Sequence, residues 1–126
     1  MSKETILVVE DESSLREVIR VCLEHSGYTI LEADNGVDAL YIESQFNGPI
    51  HLLLSDVDMS PITGPDLAEQ VLVVRPDIQI LLTSGRTEDM ELLTGLGQLN
   101  AHFLQKPFNP KTLNTAVEKI LHSDIV

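Results

Sequence analysis

Four apolar runs in this chain each end in residues able to do chemistry. Ile6-Leu7-Val8-Val9 leads into Glu10-Asp11-Glu12, and Leu52-Leu53-Leu54-Ser55 into Asp56-Val57-Asp58. Ile80-Leu81-Leu82-Thr83 leads into Ser84-Gly85, and Phe103-Leu104-Gln105 into Lys106-Pro107. Parallel strands of an open α/β sheet place all their C-terminal ends along one edge, where ligands bind. Carboxylates, a hydroxyl and a lysine gathered there suit a divalent cation and a phosphoryl group.

Each residue type has a specific use. Glu10 and Asp11 at the mouth of a buried strand repel each other unless a cation lies between them. Mg²⁺ takes oxygen ligands and keeps several waters, so one or two carboxylates suffice. The plainer alternative is that these acids favour the dipole of the helix that follows. Asp56 is suited to ligating a metal or to attacking a phosphoryl group, which forms an acyl phosphate. A turn aspartate is its alternative reading. The Ser84 hydroxyl can donate to a phosphoryl oxygen, and Gly85 permits close approach to the backbone, although an ordinary turn serine reads the same way. Lys106 is a mobile point charge for a phosphoryl oxygen or a carboxylate, or else a snorkelling strand-end lysine. Pro107 supports a cis bond that would aim it inward.

The elements that must position these groups follow from periodicity. Continuous apolar runs predict buried strands at 5–10, 50–56 and 78–83, with shorter strands at 28–33 and 101–105. The run at 50–56 is the most apolar and is expected at the sheet centre. Leu15, Val18, Ile19, Cys22 and Leu23 fall on one face of a first helix. Ser14 with Glu17 suggests a capping box for it, and Gly27 its stop. A second helix is predicted over 36–46, and a third opens at Gly64-Pro65-Asp66 and ends before Pro76. A weak fourth covers 87–95, with Gly95 and Gly97 predicted to fray or shorten it. Leu113, Ala116, Val117, Ile120 and Leu121 mark the face of the last helix. Strict alternation of strand and helix predicts an α/β, doubly wound (βα)₅ sandwich of three layers with a parallel sheet. The pattern alone leaves the strand order open.

Composition narrows the function. The 126 residues suit one domain with a real core. No apolar run approaches the ~20 residues of a membrane span, and no signal peptide or membrane partner is expected. Cys22 is the single cysteine, which excludes an internal disulfide and fits a reducing compartment; a packed core thiol is its expected role. The net charge of −12, without a basic stripe, argues against direct nucleic-acid binding. His25, His51, His102 and His122 show no metal-ligand spacing.

The four signatures together resemble the receiver domain of two-component response regulators, the chemotaxis-regulator-like family. The segments that carry the resemblance are 6–12, 52–59, 81–85 and 103–108, and it extends over a domain at 4–122. It implies a flavodoxin-like fold with strand order 2-1-3-4-5. It implies a phosphoryl-accepting signalling domain in the cytoplasm, not an enzyme beyond assisting its own phosphorylation and dephosphorylation. Asp56 would be the phosphoacceptor. Asp11, Asp56 and the backbone carbonyl of Asp58 would ligate Mg²⁺, with Glu10 helping through water. Ser84 would be the switch hydroxyl, Phe103 the switch aromatic 19 residues later, and Lys106 the phosphoryl-binding lysine. The donor would be a histidine kinase or a histidine phosphotransfer protein. The output face would combine the helix at 87–95, the strand at 101–105 and the last helix, with His102 alongside. An output domain or kinase in the same full-length chain, and a weak homodimer, are both compatible with the resemblance.

The chain departs from the family pattern in places. Met59-Ser60-Pro61 delays the usual proline by one residue while Gly64 keeps its place, and Leu99-Asn100 replace small residues. Asp58 and Arg86 each lie two residues beyond a site residue, which predicts an ion pair across the site's mouth that slows loss of the acyl phosphate. Two rival readings remain at this level. Asp56-Val57-Asp58 also resembles the signature of haloacid-dehalogenase-type phosphohydrolases, although those place it on their first strand and carry a late acidic motif. The other rival is a receiver-like domain that only binds a partner, against which the intact Asp11, Asp56, Ser84 and Lys106 argue.

Overall fold

The computed structural model describes residues 4–86, 88 and 101–122. Five parallel strands, β1 (Thr5–Val9), β2 (Thr29–Ala33), β3 (Leu52–Asp56), β4 (Gln79–Ser84) and β5 (Ala101–Gln105), form one sheet in the order β2-β1-β3-β4-β5. Four helices are described: α1 (Ser13–His25), α2 (Gly36–Gln45), α3 (Gly64–Val74) and α4 (Pro110–His122). The helix predicted over 87–95, with its expected fraying, lies outside the described residues apart from Glu88.

The period of two along the strands sorts the core into two layers. Leu7, Val9, Leu53, Ile80 and Leu82 face one side, where α2 and α3 contribute Ala39, Leu67, Ala68 and Val71. Ile6, Val8, Leu52, Leu54 and Leu81 face the other, with Ile19 and Leu23 of α1 and Leu113 and Val117 of α4. The sandwich therefore has the three expected layers, with β3 at the sheet's centre. Because β1 and β3 are buried on both faces, their sequences are apolar without alternation.

Helix starts explain how the chain turns back at each strand end. Asn35 accepts the Asp38 N–H at 2.8 Å, Thr63 the Asp66 N–H at 3.2 Å, and Asn109 the Thr112 N–H at 2.8 Å. The capping box expected from Ser14 and Glu17 does not form. Helix α1 begins at Ser13 with Glu12 as its cap residue and no side-chain cap bond. The helix already begins at Ser13, which puts Ser14 inside its first turn rather than at the cap position; the Glu12 N–H is directed to the Glu10 carboxylate at 3.1 Å. Gly27 does stop α1, at φ 101°. Cys22 is half-buried between α1 and α4, where its sulfur accepts from Asn114 Nδ2 at 3.1 Å. No helix among the described residues is long and apolar enough to cross a membrane.

Candidate functional site

The C-terminal edge of the sheet brings the expected groups together. The Lys106 ammonium lies 2.9 Å from Glu10 Oε1 and 3.1 Å from Asp56 Oδ2. Each side chain arrives from a different strand end, Glu10 one residue past β1, Asp56 closing β3 and Lys106 one residue past β5. Strand pairing sets them: Val9 lies opposite Ser55, and Ser84 opposite Gln105. The Lys106 N–H carries the β4–β5 ladder one bond further by donating to the Ser84 carbonyl at 2.8 Å. The Lys106–Pro107 and Ser60–Pro61 peptides are both cis.

Glu10, Asp11 and Asp56 each offer a carboxylate oxygen, all within 4.8 Å of one another. Glu10 is 2% exposed and Asp56 8%, whereas Asp11 is exposed. Three carboxylates against one ammonium leave excess negative charge, and an all-oxygen donor set of this spread fits a hard divalent cation. Burial pushes the Glu10 carboxyl above its ordinary range, opposed by the Lys106 hydrogen bond and the Glu12 N–H. Burial alone would lower the Lys106 pKa, but the hydrogen bond and charge of Glu10, and then Asp56, outweigh it and raise the value. Lys106 is thereby held as a cation.

Ser84, Asp58 and Arg86 lie beside the cluster. Ser84 is fully buried, and its hydroxyl oxygen accepts the Arg86 N–H at 3.0 Å. The Asp58 N–H donates to Asp56 Oδ1 at 3.2 Å, while its side chain pairs with Arg86 Nη2 at 2.8 Å. The expected ion pair across the mouth is present, with both partners more than half exposed. Phe103 is half-buried on the α2–α3 side of β5, opposite Leu82, and His102 is exposed. A Cβ at Gly85 would meet none of the described residues within 4 Å.

Two residues matter to the geometry beyond those read from the sequence as chemistry. A Cβ at Gly64 would lie 2.3 Å from the Asp56 carbonyl oxygen, so only glycine lets α3 seat against the end of β3. Its signal was its retained place after the displaced proline. Arg16 donates from Nη1 to the Glu10 carbonyl at 2.6 Å. Its signal is positional: helical side chains lean toward the N-terminus, so a residue in the first turns reaches back over the strand end.

The fold and this edge define a parallel α/β domain with an acid-and-lysine site at its strand ends. The family model for the response regulator receiver domain matches residues 6–118, and the chain belongs to that family. It is a phosphoacceptor signalling domain of the two-component type. Over 117 residues it is 37% identical to the sensor kinase CckA of Brucella abortus (strain 2308), covering 93% of this chain and 12% of that protein. It is 31% identical to the response regulator receiver protein CpdR of the same strain, covering 92% of this chain and 95% of that one. The solved chemotaxis response regulator CheY4 of Vibrio cholerae superposes with a TM-score of 0.84 at 27% identity, covering 95% of this chain and 100% of that one.

Proposed function

We propose that Asp56 accepts a phosphoryl group from a histidine kinase or a histidine phosphotransfer protein. The contact of the Lys106 ammonium with the Asp56 carboxylate, inside the acidic cluster, carries this reading. A carboxylate oxygen of Asp56 forms the new P–O bond as the P–N bond of the donor phosphohistidine breaks. The bonding pair leaves with the imidazole, which takes up a proton. Lys106 is placed to pair with a phosphoryl oxygen, and the Ser84 hydroxyl to donate to another. Asp11, Asp56 and the Asp58 carbonyl would hold Mg²⁺, with Glu10 acting through water. Bound there, Mg²⁺ supplies positive charge against the carboxylates and the phosphoryl oxygens.

The chain's own catalysis is confined to gaining and losing this group. The proposed domain runs over 4–122 and works in the cytoplasm, alone or joined to a kinase or an output domain. Ser84 and Phe103 form the switch that turns added charge into a changed surface on β5 and its neighbouring helices, the face open to a weak homodimer. The Asp58–Arg86 pair covers the mouth and slows attack of water on the acyl phosphate.

Intact mass after incubation with Mg²⁺ and acetyl phosphate tests the reading. A phosphoryl gain that requires both Mg²⁺ and Asp56 is expected. No gain in the wild-type chain with either acetyl phosphate or a phosphorylated histidine phosphotransfer protein overturns it.

A further inference from the structure

The turn Glu10-Asp11-Glu12 carries two of the three clustered carboxylates, and it is held from behind. The Glu10 N–H donates to the Ala33 carbonyl at 3.1 Å, and the Glu12 N–H to the Glu10 carboxylate at 3.1 Å. The Glu10 carbonyl has left the sheet, and Arg16 supplies its donor at 2.6 Å. Arg16 is 21% exposed, and its Nε lies 3.5 Å from Glu32 Oε1 on β2. Glu32 Oε2 is taken by Arg20 Nε at 3.1 Å. The guanidinium is thus tied to a backbone carbonyl and a second-strand carboxylate. Lys106, by contrast, bridges the carboxylates themselves.

We infer that Arg16 is a positioning residue for the cation site: by gripping the Glu10 carbonyl it fixes the turn that aims the Asp11 carboxylate at the metal. The inference rests on the proposed cation site at Glu10, Asp11 and Asp56. Its test is sharp because two effects oppose each other. Electrostatics alone predicts that removing a cation beside a cation site tightens Mg²⁺ binding. Positioning predicts that binding weakens, since groups that orient metal ligands are typically worth about tenfold or more in affinity.

Calorimetric titration of the whole chain with Mg²⁺, well below the thermal midpoint of each variant, decides between them. Arg16→Ala is expected to raise the Kd about tenfold. Arg16→Lys, which can still donate to the carbonyl, recovers most of the loss. Arg20→Ala, which shares Glu32 but not the Glu10 carbonyl, leaves the Kd unchanged. An Arg16→Ala chain that binds Mg²⁺ as tightly as wild type, or more tightly, overturns the inference alone. A wild-type chain that binds no Mg²⁺ overturns the cation site and the inference together.

Discussion

At the N-terminal edge of the sheet, Arg75 donates to Glu43 Oε1 at 2.9 Å. It also donates to the carbonyls of Gly48, Glu43 and Phe46 at 2.8, 3.1 and 3.0 Å. One cation meets one carboxylate there, and its remaining donors reach carbonyls at the end of α2 and in the loop that follows. At the C-terminal edge one ammonium faces a cluster of three carboxylates, and the Glu10 carboxyl is pushed upward by burial. The first arrangement cancels its charge and locks two loops together. The second leaves a surplus of negative charge within the cluster. The same residue types are therefore balanced in charge at one edge, which suits stability, and unbalanced at the other, which suits the proposed cation and phosphoryl chemistry.

The sharpest way to break this comparison is to cut each edge in turn. Asp56→Asn abolishes phosphoryl uptake by intact mass, with little loss of stability. Arg75→Ala keeps the uptake rate but costs about 3 kcal/mol in denaturant unfolding, because Glu43 loses its half-buried partner. If Arg75→Ala slowed phosphorylation as much as it destabilised the fold, the two edges would not be separate.

Gly64→Ala is expected to strike both properties, since its Cβ would press on the Asp56 carbonyl. Overpacking costs about 1–3 kcal/mol, and a displaced Asp56 slows phosphorylation by roughly 10- to 100-fold. Gly36→Ala, where the Cβ would meet the Ile62 side chain, is the companion variant. It should lower the thermal midpoint and leave the uptake rate close to wild type.

Alkaline pH sharpens the contrast at the ammonium. The folded state raises the Lys106 pKa above its ordinary 10.5. The native chain then binds this proton more tightly than the unfolded one. The contribution is complete below 10.5 and is lost as pH rises through the folded value. Thermal midpoints of wild type and Lys106→Gln should therefore converge as pH rises beyond that window.

The smallest effect belongs to the exposed pair at the mouth. Arg86→Ala changes stability by less than about 1 kcal/mol, as for exposed ion pairs generally. Its expected effect is faster loss of the acyl phosphate, measured by the decay of the phosphorylated mass. An unchanged decay rate removes the shielding role.

Much of the fold was legible because burial on both faces leaves a plain mark. The apolar runs at β1, β3 and β4 and the single-faced stripes of α1 and α4 are local patterns that a period can reveal, although Val18, read as part of the α1 stripe, is 51% exposed. The Asp58–Arg86 pair was legible too, from equal offsets beyond two site residues. Helix ends were less so. Ser14 and Glu17 have the composition of a capping box, but the helix begins at Ser13 and leaves Ser14 inside its first turn. The grip of Arg16 on the Glu10 carbonyl was not read at all, because a side chain meeting a backbone oxygen leaves no compositional trace.

By themselves, the residues determined which segments are strands, which are helices, and which polar groups stand at the strand ends. Those properties follow from the period of side-chain direction and from turn chemistry, which act over a few residues. The residue pattern left the order β2-β1-β3-β4-β5 open, because each crossover can pass to either side of the strand before it. Only tertiary structure brought Lys106 within 2.9 Å of Glu10, 96 residues earlier, and left the cluster with more carboxylates than cations. Electrostatic balance is a property of distances through space, and chain separation does not record it.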